Sequence, residues 1–172
     1  MRILVIDNYD SFTYNLVAMI RELGHSPKVV LNDHILPSEA GEFDKIVLSP
    51  GPGIPDEAGV MKEVIAAWGS VRSILGVCLG HQGIAEVYGA RIYNMPSVLH
   101  GTTSMLKVCD PHSRLFRGLP GEFRVTHYHS WAMVPDGVPE DLSITAVNSS
   151  GVVMAISHKQ WDVHGVQFHP ES

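Results

Sequence analysis

The sequence predicts an α/β fold, with an open, mainly parallel sheet, helices on both faces and an antiparallel extension in its second half. Three observations predict it. Short apolar runs alternate with helical patterns through the first half. Those runs are apolar throughout rather than every second residue, as strands covered on both faces are. The second half carries strand-like runs separated by turn residues, the pattern of hairpins.

Ile3–Ile6 is the first run and ends at Asp7. Asp10 or Ser11 is placed to cap a helix, since a short side-chain oxygen accepts a bond from an otherwise unpaired first-turn amide. Phe12, Leu16, Met19, Ile20 and Leu23 recur at helical spacing, and Gly24 is placed to stop the helix. Val29–Leu31 and Ile46–Leu48 read as the second and third strands, the latter running into Ser49-Pro50-Gly51-Pro52-Gly53. A helix over Glu57–Trp68, a fourth strand over Ile74–Val77 and a helix over Gly80–Tyr88 complete the first half. Phe123–His129, Leu142–Asn148, Val152–Ser157 and Val163–Phe168 are the later strands, with turn signals at Pro135-Asp136-Gly137 and over Asn148–Gly151. Ligands of parallel sheets bind beyond the carboxyl ends of the strands. The loops after Asp7, Leu48 and Val77 are therefore expected on one rim.

A chain of 172 residues suits one domain over 1–172. The 45% hydrophobic and 17% charged content excludes a disordered chain. Twelve basic against eighteen acidic residues, net −6, argue against a nucleic-acid surface. The apolar run at the N-terminus is too short for a signal peptide, and no stretch reaches the roughly 18 residues of a membrane span. Two cysteines, Cys78 and Cys109, make no disulfide framework and suit a reducing compartment. A cytoplasmic protein, without nucleic-acid or membrane partners, is expected.

Gly76-Val77-Cys78-Leu79-Gly80 closes a strand and opens a helix. It has the form of a nucleophile elbow with cysteine in the serine position. The glycines permit the sharp turn and close helix approach. At a helix N-terminus the dipole favours thiolate over thiol, and the amide of Leu79 points toward a developing oxyanion. A buried structural cysteine is the competing reading; the strand–elbow–helix context favours the nucleophile.

His169-Pro170-Glu171 supplies the best partner among ten histidines. Proline biases the preceding residue toward extended backbone. His169 and Glu171 then project to one side, where a carboxylate can orient an imidazole; a plain surface turn is the alternative. His127-Tyr128-His129, His158 and His164 raise a metal reading, but no HExxH occurs and the cysteines lie far from CxxC spacing. No metal is expected, and His127 and His129 are expected to face a pocket or the core. Ser49–Gly53 lacks the Lys-Ser or Lys-Thr of a phosphate loop. It reads as a rigid turn that aims backbone amides at a substrate, or as an ordinary connection.

Together these segments resemble the class I, or triad, glutamine amidotransferases, through Ser49–Gly53, Gly76–Gly83 (GVCLGHQG) and Gly165–Ser172 (GVQFHPES). The fold that goes with it is flavodoxin-like, in three layers. Asp7–Leu16, His100-Gly101 and Tyr128-His129-Ser130 narrow the likeness to glutaminase subunits of anthranilate and aminodeoxychorismate synthases. The resemblance implies that Cys78 is the nucleophile, His169 the general base and acid, and Glu171 its orienting carboxylate. It implies oxyanion-hole amides from Gly53 and Leu79, and glutamine held by Gly51, Pro52, Gly53, Gln82, Ser130 and Trp131. It also implies ammonia delivery to a chorismate-binding synthase subunit and no bound cofactor; relatives continue past the triad into a terminal helix that is missing from these 172 residues. Trp131 stands where the subgroup usually has leucine, and Thr102 where it often has lysine. The alternatives are a free-standing γ-glutamyl hydrolase and a catalytically silent regulatory subunit.

Overall fold

The computed structural model describes residues 1–172. Its strands are β1 (Ile3–Asp7), β2 (Lys28–Leu31), β3 (Lys45–Leu48), β4 (Ser73–Val77), β5 (Ile92–Val108), β6 (Glu122–Met133), β7 (Leu142–Asn148), β8 (Val153–His158) and β9 (Val163–Val166). They form one sheet in the order β2-β1-β3-β4-β9-β8-β7-β5-β6. β2, β1, β3, β4 and β9 run parallel. From β9 onward every pairing is antiparallel. The last strand is thus inserted into the middle of the sheet. Its register sets Val77 opposite Val166, which brings the segment after each strand to the same level of the rim.

The helices are α1 (Thr13–Glu22), α2 (Pro37–Ala40), α3 (Met61–Trp68) and α4 (Leu79–Val87). α2, α3 and α4 cover one face, where Met61, Val64, Ile65, Ile84 and Ala85 pack on Leu4, Ile6, Ile46, Leu48 and Ile74. The opposite core is smaller and draws on Leu16 of α1, Val77, Val166 and Phe168, with Phe116 and Leu106. Beside it, Leu75, Leu115, Leu119 and Phe123 line an open groove of about 400 Å³. Helices lie on both faces, as expected, but unevenly.

Several local expectations need correction. α1 is entered from Phe12, with no side-chain cap. The Asp10 carboxylate instead accepts the Phe12 amide at 2.9 Å, one residue too early. The expected helix over Glu57–Trp68 begins as a separate 3₁₀ turn, Pro55–Glu57. The last strand ends at Val166, short of the predicted Phe168. β5 was not expected at all. It is exposed along much of its length, contains Pro96, and slips register against β6 at Asn94/Leu99 and His100/Thr102. Its pairing partner, more than its own pattern, makes it a strand. No helix is long and apolar enough to cross a membrane.

Candidate active site

Cys78 turns the chain from β4 into α4 with φ 53° and ψ −100°, and is one of only two non-glycine residues with positive φ. Such a backbone costs about 1–3 kcal/mol and persists only where its surroundings enforce it. Here they do. The Cys78 amide donates to the Val166 carbonyl at 2.8 Å. α4 presses so closely on β3 that a Cβ on Gly80 would lie 2.6 Å from the Leu48 carbonyl oxygen. The glycines of the elbow are therefore there for approach, as their spacing predicts.

His169 is held by its amide, which donates to the Thr126 carbonyl at 3.0 Å. Its Nδ1 lies 2.6 Å from Glu171 Oε1, and both side chains are buried. The pair forms as predicted, but by another route. His169 to Ser172 is a turn closed by the Ser172 amide on the His169 carbonyl, not extended strand. Phe12 and Tyr128 meet the imidazole edge-on, with ring centroids 5.7 and 5.1 Å away. Its Nε2 is buried and has no protein partner.

Two cavities meet at the thiol. One, of about 170 Å³, is lined by Cys78 with Gly51, Pro52, Gly53, Gln82, Ser130 and Trp131, and walled by β5 and β6. All six residues expected to hold glutamine are thus together. The other, of about 530 Å³, joins Cys78 and His169 to the Asp10 loop and to Pro50–Pro52. Leu79 is buried beneath, and its side chain meets the position a Cβ on Gly51 would take. Gly53 has φ +73°, a conformation that glycine adopts without strain. The rim beneath is locked: the Asn8 amide donates to Ser49 Oγ at 2.8 Å and Asn8 Nδ2 to the Ser49 carbonyl at 2.8 Å.

The electrostatics correct one expectation. Burial pushes the Cys78 thiol up to about 12, and the Asp10 carboxylate adds to the rise. The Leu79 amide and Gln167 oppose them but do not win. The resting site holds a thiol rather than the thiolate that the helix dipole alone would favour. Burial also raises Asp10 above the usual carboxylate range. It lowers His129 to about 4 and lowers His127 as well, so both are neutral at pH 7.

Gln167 was missed by sequence reasoning. It is fully buried, and its Nε2 donates to Cys78 Sγ at 3.4 Å. Trp131, which departs from the subgroup's leucine, contributes its backbone here: its carbonyl accepts from Gln82 Nε2 at 2.9 Å and pairs with His129 Nδ1 at 2.8 Å.

The comparisons with known proteins agree with this geometry. The class-I glutamine amidotransferase family profile matches residues 4–172. Anthranilate synthase component 2 of Mycobacterium tuberculosis is 47% identical over 177 residues, covering 100% of this chain and 75% of that protein. Aminodeoxychorismate synthase component 2 of Escherichia coli is 44% identical over 172 residues, covering 99% and 91%. A solved structure from Thermoplasma acidophilum, named for a GMP synthase, superposes with TM-score 0.88 at 31% identity, covering 100% of this chain and 85% of that one. A glutamine amidotransferase of Thermotoga maritima shares the fold, with TM-score 0.79 at 20% identity, covering 99% and 76%. With an elbow cysteine, a buried histidine–carboxylate pair and a sequence match along nearly its whole length, this chain belongs to the class-I glutamine amidotransferase family.

Proposed function

We propose that residues 1–172 act as one amidotransferase domain that hydrolyses L-glutamine and passes ammonia to a chorismate-using synthase component. The observation that carries the chemistry is the buried His169–Glu171 pair sharing a cavity with a thiol on a strained elbow. The partner is inferred from relatives named as second components of anthranilate and aminodeoxychorismate synthases.

Glutamine occupies the smaller cavity with its side-chain amide over Cys78. The sulphur attacks the amide carbon as its proton passes to His169 Nε2, the unpartnered nitrogen. Because the resting thiol is protonated, proton transfer accompanies attack rather than preceding it. Glu171 holds the imidazole in the tautomer that accepts at Nε2 and stabilises the cation that forms. The amides of Gly53 and Leu79 receive the developing oxyanion. His169 then protonates the departing nitrogen, which leaves as ammonia, and a glutamyl thioester remains. Water, giving a proton to His169, attacks the thioester carbon. Glutamate leaves, and the thiol regains its proton.

The test is Cys78→Ala in the complex with a synthase component. Synthesis from glutamine is expected to vanish, while synthesis from added ammonium salt persists. Loss of both activities in a folded, partner-bound variant would overturn this division of labour. Glutamine turnover by the isolated chain is expected to rise when the synthase component and chorismate are added. A chain equally active alone would be a free-standing hydrolase, and one inactive throughout a silent regulatory protein.

A further inference from the structure

Gln167 lies behind the nucleophile, on the protein side. It is fully buried and lines neither cavity at the thiol, so it is not placed to touch glutamine. Yet its Nε2 is 3.4 Å from Cys78 Sγ. An amide could present either end to the sulphur, and neighbouring groups decide which. Gln82 Nε2 donates to Gln167 Oε1 at 3.1 Å, which leaves the N–H end for the sulphur. Gln82 cannot flip in turn, because its Nε2 also donates to the Trp131 carbonyl, an atom that only accepts.

A second run of bonds starts from the same carbonyl. His129 Nδ1 faces the same carbonyl and must carry a proton. In the neutral ring Nε2 is then an acceptor, and it lies 3.2 Å from His127 Nδ1, which therefore donates. His127 Nε2 accepts from the Ser104 hydroxyl at 2.6 Å, and Asn148 Nδ2 approaches that oxygen at 3.4 Å. Both runs have one self-consistent orientation, and the one through Gln82 ends on the sulphur.

We propose that Gln167 is a further catalytic residue of the glutaminase, donating its amide N–H to the Cys78 sulphur as negative charge gathers there, with Gln82 as the positioning residue that aims it. This rests on the reading of Cys78 as the nucleophile. The N–H favours sulphur carrying charge, on the way into attack and again when the sulphur leaves the thioester carbon. The glutamine cavity is left as it is.

The experiment is the rate of Cys78 alkylation by iodoacetamide at pH 8 on the isolated chain, with glutaminase kinetics on the complex. Gln167→Met keeps volume and removes the donor. Gln167→Glu is isosteric and turns a carboxylate oxygen toward the sulphur. The alkylation rate at pH 8 is expected to fall about 10-fold in Gln167→Met and further in Gln167→Glu, as loss of a hydrogen bond to a charged group implies. In both, kcat is expected to fall about 10-fold or more while KM for glutamine stays within about twofold. An unchanged alkylation rate, or a rise in KM alone, would overturn the assignment. Should Gln167→Met fail to fold, the isosteric Gln167→Glu decides by the same readouts. Alkylation needs no turnover, so a wild-type chain that did not hydrolyse glutamine would sink the functional reading without deciding this one.

Discussion

At Cys78 two influences act against each other, and their balance sets the resting state. The helix terminus and the Leu79 amide favour the thiolate; burial and the Asp10 carboxylate favour the thiol, and they prevail. Asp10 is the part of this balance that can be removed without opening the core. Its side-chain oxygen accepts the Phe12 amide, a bond that asparagine can keep through its carbonyl oxygen. Asp10→Asn is expected to speed alkylation of Cys78 at pH 8 by several-fold, the direction set by removing a nearby negative charge. An alkylation rate equal to wild type across the pH range would show that Asp10 does not reach the sulphur. Cys109, exposed, serves as the internal reference for reagent reactivity. The elbow at Cys78 was legible from its flanking glycines. Gln167 was not, because its role lies in which end of an amide faces the sulphur, and Gln82, 85 positions away, decides that.

Among the elements, those that the sequence announces are the ones buried on both sides. β1, β3 and β4 are continuous apolar runs, and their ends correctly locate the rim. β5 escaped because nothing in its own pattern distinguishes two faces: its residues are mostly exposed, and its hydrogen bonds go chiefly to β6. Yet β5 supplies Val98, Leu99 and His100 to the wall of the smaller cavity, so the overlooked strand encloses the space proposed for glutamine. The contact between α4 and β3 is the opposite case, readable from glycine spacing and rigid in the structure. A Cβ on Gly80 would lie 2.6 Å from a backbone oxygen and 2.7 Å from the Leu48 Cβ, so α4 must move to admit it. Gly80→Ala is expected to cost about 1–3 kcal/mol of stability and to lower glutaminase activity of the folded fraction by displacing the elbow. Thermal melts and kcat/KM measured on the same preparation check both. An unchanged melt with full activity would mean that the elbow does not depend on this approach.

Burial keeps His81 and His129 neutral across the whole molecule's working range, which makes its stability depend on pH. Burial lowers His81 to about 3 and His129 to about 4, each from 6.5. The unfolded chain therefore binds more protons than the folded one below pH 6.5, and stability rises with pH there. Stability is full above that value and falls as pH drops toward 4, by up to about 1.4 kcal/mol per pH unit for each histidine. Denaturant titrations at pH 7.5, 6.0 and 5.0 are expected to show a falling midpoint. A flat midpoint would mean that neither histidine is kept neutral by the fold.

The insertion of β9 between β4 and β8 also has a meaning in time. A ribosome releases the elbow well before the histidine–glutamate pair. Until Val163–Val166 slides into its slot, the sheet has an unfilled gap at its centre and the thiol has no base beside it. On the proposed chemistry, the growing chain therefore carries its thiol well before it carries a base, and ammonia release waits until the segment from Val163 to Glu171 has docked. A chain ended at Phe168 is expected to lack glutaminase activity, and turnover by it would show that a base other than His169 serves the thiol.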